Sequence, residues 1–132
     1  MTTDFVDTDE NDKIIEHWDV IAPVVEETVS GHSQIDGPTA ITDLEATEHN
    51  KALVRDFIDQ VLIKGHMDRV SKFISTERYI QHNPQVADGL EGFAMFAASL
   101  AEKGLQMRYL DVFKVVGQGN FVVSYSKMSL GN

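Results

Sequence analysis

The chain contains no cysteine. That excludes a disulfide framework, a thiolate nucleophile and a Cys-ligated zinc site. Basic residues are scarce: 11 Lys and Arg stand against 21 Asp and Glu, for a net charge of −10. A nucleic-acid partner calls for clustered cationic side chains, so none is expected. Nowhere is an apolar run long enough to span a bilayer, so no membrane partner is expected either. The opening residues, Met1 to Asp12, are acidic and lack the basic and apolar regions of a secretory signal, which makes the cytoplasm the expected compartment. Internal repeats, low-complexity tracts and the His-Glu-x-x-His zinc pattern are also missing. What remains is ordinary for a globular protein. At 132 residues, 42% hydrophobic and 24% charged, the chain reads as one domain with a core of its own.

The punctuation of the chain sets its order of elements. Residues 3–21 read as a β-hairpin, with Asp4 to Thr8 as one strand, a polar turn at Asp9 to Asp12, and Lys13 to Ile21 as the second strand. Residues 22–41, broken by Pro23, Gly31, Gly37 and Pro38, read as a long surface connection. Thr42-Asp43-Leu44-Glu45 fits a capping box, with Thr47 to Asn50 as an alternative start. A helix follows, with an apolar stripe of Leu53, Val54, Phe57, Ile58, Val61 and Leu62 and a stop at Gly65. A short helix is expected over Met67 to Phe73 and a short strand over Tyr79 to Pro84. Asp88 is placed to cap a helix from Leu90 to Lys103, ended by Gly104. Two strands, Leu105 to Val116 and Asn120 to Leu130, flank a Gly117-Gln118-Gly119 turn. Helices segregated from antiparallel strands make an α+β fold.

One strand carries unusual chemistry. Alternation puts Ile15, His17, Asp19 and Ile21 on one face and Ile14, Glu16, Trp18 and Val20 on the other. A histidine and a carboxylate between isoleucines are costly to bury unless paired or functional. An edge strand with its polar face in water is the competing reading.

Three segments resemble the SnoaL-like polyketide cyclases of the nuclear transport factor 2-like superfamily. They are Tyr79-Ile80-Gln81-His82-Asn83-Pro84 with Asp88-Gly89-Leu90-Glu91-Gly92; Asp4-Phe5 with Asp9 through Asp19; and Asn50 to Phe57. The resemblance implies a cystatin-like cone, a curved and mostly antiparallel sheet wrapped around about three helices and enclosing an apolar pocket. The order differs from the family, where the His-Trp-Asp strand comes last. A circular permutation accounts for this, with residues 22–41 joining the old ends of a single domain over 1–132. A hairpin exchanged into a partner chain and a piece of a longer tandem protein are the alternatives. Asp12 also stands where the family commonly has glycine.

The family closes rings by aldol condensation without metal or cofactor, so neither is expected here. The resemblance implies a hydrophobic carbonyl substrate and proton transfer of the cyclase or isomerase type. Asp19 matches the family aspartate and is the expected acid/base, with a pKa raised if it lies in an apolar pocket. His17 and His82 are its expected catalytic companions. Gln81, Asn83 and Tyr79 are the expected substrate-binding groups, with the two amides suited to holding an enolate oxygen. Each has a plainer reading: Asp19 in a surface ion pair, the histidines satisfied structurally, and Asn83-Pro84 a simple turn. His32, His49 and His66 read as surface residues, and Tyr109, Tyr125 and Met128 as core or pocket lining. A carrier of small hydrophobic molecules and a dimeric interaction module are the rival functions. A homodimer, with the N-terminal hairpin exchanged as one route, is expected from the resemblance.

Overall fold

The computed structural model describes residues 1–131. The chain is α+β, with four strands in two antiparallel hairpins and helices between them. β1 (Thr2–Thr8) pairs with β2 (Ile14–Ile21). The turn works as its sequence suggests. The Asp9 carboxylate accepts the amides of Asn11 at 2.9 Å and Lys13 at 3.0 Å, and Asp12 takes the left-handed conformation at φ 58°. Those amide bonds hold the Asp9 carboxyl below its ordinary pKa.

Residues 22–41 form no helix or strand, as expected, yet they are tied down. The Val29 amide donates to the Pro84 carbonyl at 3.0 Å, and the Ser30 hydroxyl donates to the Gln81 carbonyl at 2.8 Å. The expected strand over Tyr79 to Pro84 does not form. Its backbone groups are taken by this connection and by Asp88, whose carboxylate accepts the Gln81 amide at 2.8 Å. No partner strand is left a place.

The capping box at Thr42 is likewise replaced. The Thr42 hydroxyl donates to Asp43, its amide to Asn120 Oδ1 at 2.8 Å, and its carbonyl accepts the Asn120 amide at 3.0 Å. With Asp43 left-handed at φ 54°, only a 3-10 turn (Leu44–Ala46) follows. Helix α1 (Thr47–Phe57) begins at the alternative start and continues as a π-helical segment, Ile58–Ile63, before Gly65 stops it. Met67–Lys72 is a 3-10 helix. Helix α2 (Gly89–Glu102) follows Asp88, whose carboxylate is engaged elsewhere and leaves the helix without a side-chain cap.

β3 (Gln106–Gln118) and β4 (Phe121–Gly131) form the second hairpin. Their turn docks on the start of α1. The Gly119 amide donates to Thr47 Oγ1 at 2.8 Å, while Asn50 Nδ2 donates to the Gly119 carbonyl at 2.8 Å. The buried apolar residues, Ile58, Val61, Val86, Leu100 and Val115, mark where the π-helical extension of α1, the loop before α2, α2 itself and β3 meet.

The two hairpins share no backbone hydrogen-bond ladder, and the described residues form no single cone-shaped sheet. They meet through side chains. Phe5 stacks on Tyr125 with centroids 5.4 Å apart, and Lys114 Nζ lies 4.0 Å from the centre of the Trp18 ring. Because the hairpins touch by their faces, the edge of β1–β2 does not extend the edge of β3–β4.

Candidate functional site

Three adjoining cavities, of about 500, 250 and 190 Å³, lie between α1 with its π-helical extension, α2 and the inner face of β3–β4. Leu62 and Tyr109 line all three and divide them. The largest is walled by Leu53, Val54, Phe57, Ile58, Phe73, Ile74 and Val122, with Tyr79 and Ser124. The second is walled by Val61, Met67, Phe93, Ala97, Leu100, Ala101, Leu105 and Met107, with Gln106. The smallest brings Gln81, Asn83 and Tyr79 against Phe57, Phe93, Phe96 and Met107. The helical periodicities explain this arrangement. The stripes of α1 and α2 that face inward are the apolar ones, and alternation on β3 turns Met107 and Tyr109 to the same side.

No carboxylate, imidazole, ammonium or guanidinium lines any of the three; a fourth cavity of about 310 Å³, which shares Leu62, Met107 and Tyr109 with them, is bordered by Arg108. The polar groups are phenols, amides and one hydroxyl. Burial, helped by the neighbouring Tyr79, pushes the Tyr109 phenol above its ordinary pKa. Tyr109 therefore stays a neutral hydrogen-bond donor throughout the physiological range. Asn83 Oδ1 accepts the Gln85 amide at 3.0 Å, the turn geometry its sequence suggests, so its NH₂ remains the group available to a ligand.

Asp19 and His17 lie elsewhere. In the β1–β2 register Phe5 faces Trp18, Val6 faces His17, and Asp4 faces Asp19. Phe5 and Trp18 are the residues that touch the second hairpin, and they touch it at Tyr125 and Lys114. Tyr125 and Lys114 are themselves cross-strand partners, and alternation places Tyr125 opposite in facing to Ser124, which lines a cavity. His17 and Asp19 thus occupy the outward face of a hairpin stacked on the far side of β3–β4 from the cavities. Both are exposed, and His17 Nε2 lies 3.1 Å from Asp4 Oδ1.

His82 sits in a third place. Its Nδ1 is 2.7 Å from the Ser33 carbonyl and 2.9 Å from Asp36 Oδ1, and its ring borders a further cavity of about 480 Å³ with Pro23, Val25, Pro84 and Asn83, the last shared with the smallest of the three. Among the expected site residues, the structure therefore brings Tyr79, Gln81 and Asn83 together on the smallest cavity, sets His82 beside Asn83 on the 480 Å³ cavity, and leaves Asp19 and His17 apart from them.

Two participants escaped the sequence reading. Strand alternation suits Tyr109 to core or pocket lining alike, and only its place among the cavities reveals its centrality. His32, read as a surface residue, has Nε2 3.2 Å from Asp88 Oδ2, and its ring lies 5.9 Å from that of His82. Asp88 is held below its ordinary pKa, first by the Gln81 amide and then by His32 and His82. No local pattern could reveal a pairing across 56 positions.

Compared with protein-family models, curated proteins and solved structures, the chain matches none. No helix of the described residues is long and apolar enough to cross a membrane, and among those residues no cluster of His, Asp and Glu is arranged to hold a metal ion.

Proposed function

We propose that this chain binds a small hydrophobic molecule bearing a carbonyl group, in the cavities around Tyr109, without metal or cofactor. The observation that carries this reading is the composition of the lining: apolar walls with neutral donors and no titratable acid or base near physiological pH. Apolar walls supply affinity by desolvation. The Tyr109 phenol, with the Gln81 and Asn83 amides in the smallest cavity, supplies donors for a carbonyl oxygen.

The resemblance of the Tyr79–Pro84 and Asp9–Asp19 segments to SnoaL-like cyclases favours a second reading, an acid-base enzyme acting on the same class of molecule. That reading needs the β1–β2 hairpin to continue the β3–β4 sheet as a cone, so that Asp19 and His17 reach the cavity mouth. The two readings part on one experiment. Calorimetric titration of 2-acetylnaphthalene into the wild type, Tyr109→Phe and Asp19→Asn compares affinities. Loss of one neutral hydrogen bond weakens binding by roughly threefold to tenfold. The binding reading expects that loss in Tyr109→Phe and none in Asp19→Asn. A wild type that does not bind the probe, or binding that depends on Asp19 and ignores Tyr109, overturns it.

A further inference from the structure

We infer, resting on the binding reading above, that the hydrophobic carbonyl compound also carries a carboxylate, which Arg108 holds at the mouth of the cavities. The place is defined by β3. The cavity of about 310 Å³ shares Leu62, Gly65, Gln106, Met107 and Tyr109 with the 250 Å³ cavity, so the two adjoin along the start of this strand. Arg108 and Leu110 complete its strand wall. Alternation turns Met107 and Tyr109 to one side of the hairpin and Arg108 to the other. A cavity lined by both sets runs round the edge of β3. That edge is open, because β3 pairs only with β4 among the described residues. The register skips Leu110, between Tyr109 and Asp111, and such an irregularity bends a strand and re-aims its side chains. On the opposite wall stands Gly65, where a built Cβ meets nothing within 4 Å. The apolar chambers therefore open to solvent between Gly65 and Arg108.

Arg108 is exposed there, yet it is held. Gln106 Oε1 accepts from its Nε at 2.9 Å and from its Nη2 at 2.6 Å. These two bonds occupy one fork of the guanidinium and fix its plane. The N–H groups left on Nη1 and Nη2 form the second fork, which matches the two oxygens of a carboxylate. A phosphate dianion would leave its second charge without a partner. Among the described residues no acid pairs with Arg108, although acidic residues outnumber basic ones 21 to 11. Neighbouring cations are committed elsewhere. Lys64 Nζ lies 2.6 Å from Asp59 Oδ2, and Arg69 Nη1 donates to Gln60 Oε1 at 2.8 Å. An organic anion approaching this chain meets a net charge of −10, which repels it in general. A guanidinium oriented in advance beside apolar walls supplies a local attraction, less screened than on an open surface.

Calorimetric titration at neutral pH compares three probes on one scaffold: 2-acetylnaphthalene, 6-acetyl-2-naphthoic acid and the methyl ester of that acid. A charge-assisted contact of this kind strengthens binding by roughly tenfold or more. The wild type is expected to bind the acid that much more tightly than either neutral probe, and added salt is expected to shrink the difference. Arg108→Gln is expected to bind the acid no better than the ester and to keep the wild-type affinity for 2-acetylnaphthalene. Circular dichroism melts check that this exposed substitution leaves the fold intact, and the comparison of acid with ester on the wild type needs no variant. An acid that binds the wild type no more tightly than its ester, while 2-acetylnaphthalene binds, overturns the inference and leaves the binding reading standing. A preference for the acid that persists in Arg108→Gln overturns it as well. A wild type that binds none of the three overturns both.

Discussion

Gly92→Ala is the perturbation whose outcome separates two simple expectations. Gly92 lies in the first half of α2 and is buried. By helix propensity alone, replacing an interior glycine with alanine stabilises a protein by about 1 kcal/mol. The packing reverses that sign. A Cβ built on Gly92 lies 2.1 Å from the Ala87 carbonyl oxygen and 2.5 Å from its carbon. Real contacts of this kind are not found below 3.0 Å, so the backbone of Ala87 must withdraw by close to an ångström. Ala87 is not free to do so. Its neighbour Val86 is buried at 3% exposure, and Asp88 is held by the Gln81 amide. Overpacking costs about 1–3 kcal/mol, and a clash this close with main chain belongs at the upper end, which outweighs the propensity gain. For a chain of this length each kcal/mol is worth roughly 3–5 °C in Tm. Gly92→Ala is therefore expected to melt several degrees below the wild type by circular dichroism, with a lowered urea midpoint. Ala98→Gly, at an exposed position of the same helix, measures the propensity term alone and is expected to lose about 1 kcal/mol. A Gly92→Ala protein that melts above the wild type would refute the close approach of α2 to Ala87, and with it the wall of the smallest cavity.

Other consequences can be measured independently. Gly119→Ala should destabilise by more than the ordinary glycine effect, because its Cβ would lie 1.9 Å from the Thr42 carbonyl oxygen at a φ of 58°; urea denaturation reads the loss. Asn50→Ala removes the donor to the Gly119 carbonyl and should cost about 1 kcal/mol in the same assay. Asp88 has a lowered folded-state pKa, so the stability it contributes is present above the unfolded value of roughly 3.9 and is lost as pH falls through the folded value. Denaturation followed across that acid range should show Asp88→Asn losing less stability than the wild type as pH falls. Tyr109 has the opposite dependence. Its raised pKa means that its contribution is intact below about 10 and is lost as pH rises through the folded value, which ultraviolet titration of the phenolate detects against Tyr109→Phe.

The elements legible in the sequence are those fixed by local chemistry. Both hairpins, the apolar stripe of α1, the Gly65 and Gly104 stops and the left-handed Asp12 follow from alternation, helical spacing and turn preference. The misread elements are those decided by groups distant along the chain. Tyr79–Pro84 has strand-like residues, but its backbone is claimed by Ser30, Val29 and Asp88. Thr42-Asp43-Leu44-Glu45 has the letters of a capping box, but Asn120 binds the Thr42 backbone first. The site divides in the same way. Tyr79, Gln81 and Asn83 are near one another in sequence and line one cavity. Whether Asp19 and His17 join them depends on how the hairpins pack, and the face-to-face stacking at Phe5 and Trp18 sets both on the far side of β3–β4, while His82 lies beside Asn83 on a neighbouring cavity.

The most direct measurement of the central claim is amide NMR mapping of 2-acetylnaphthalene on the wild-type protein. The account predicts saturable shifts centred on Leu62, Tyr79 and Tyr109, with His17 and Asp19 unmoved. Shifts centred on His17 and Asp19, or none that saturate, would contradict it.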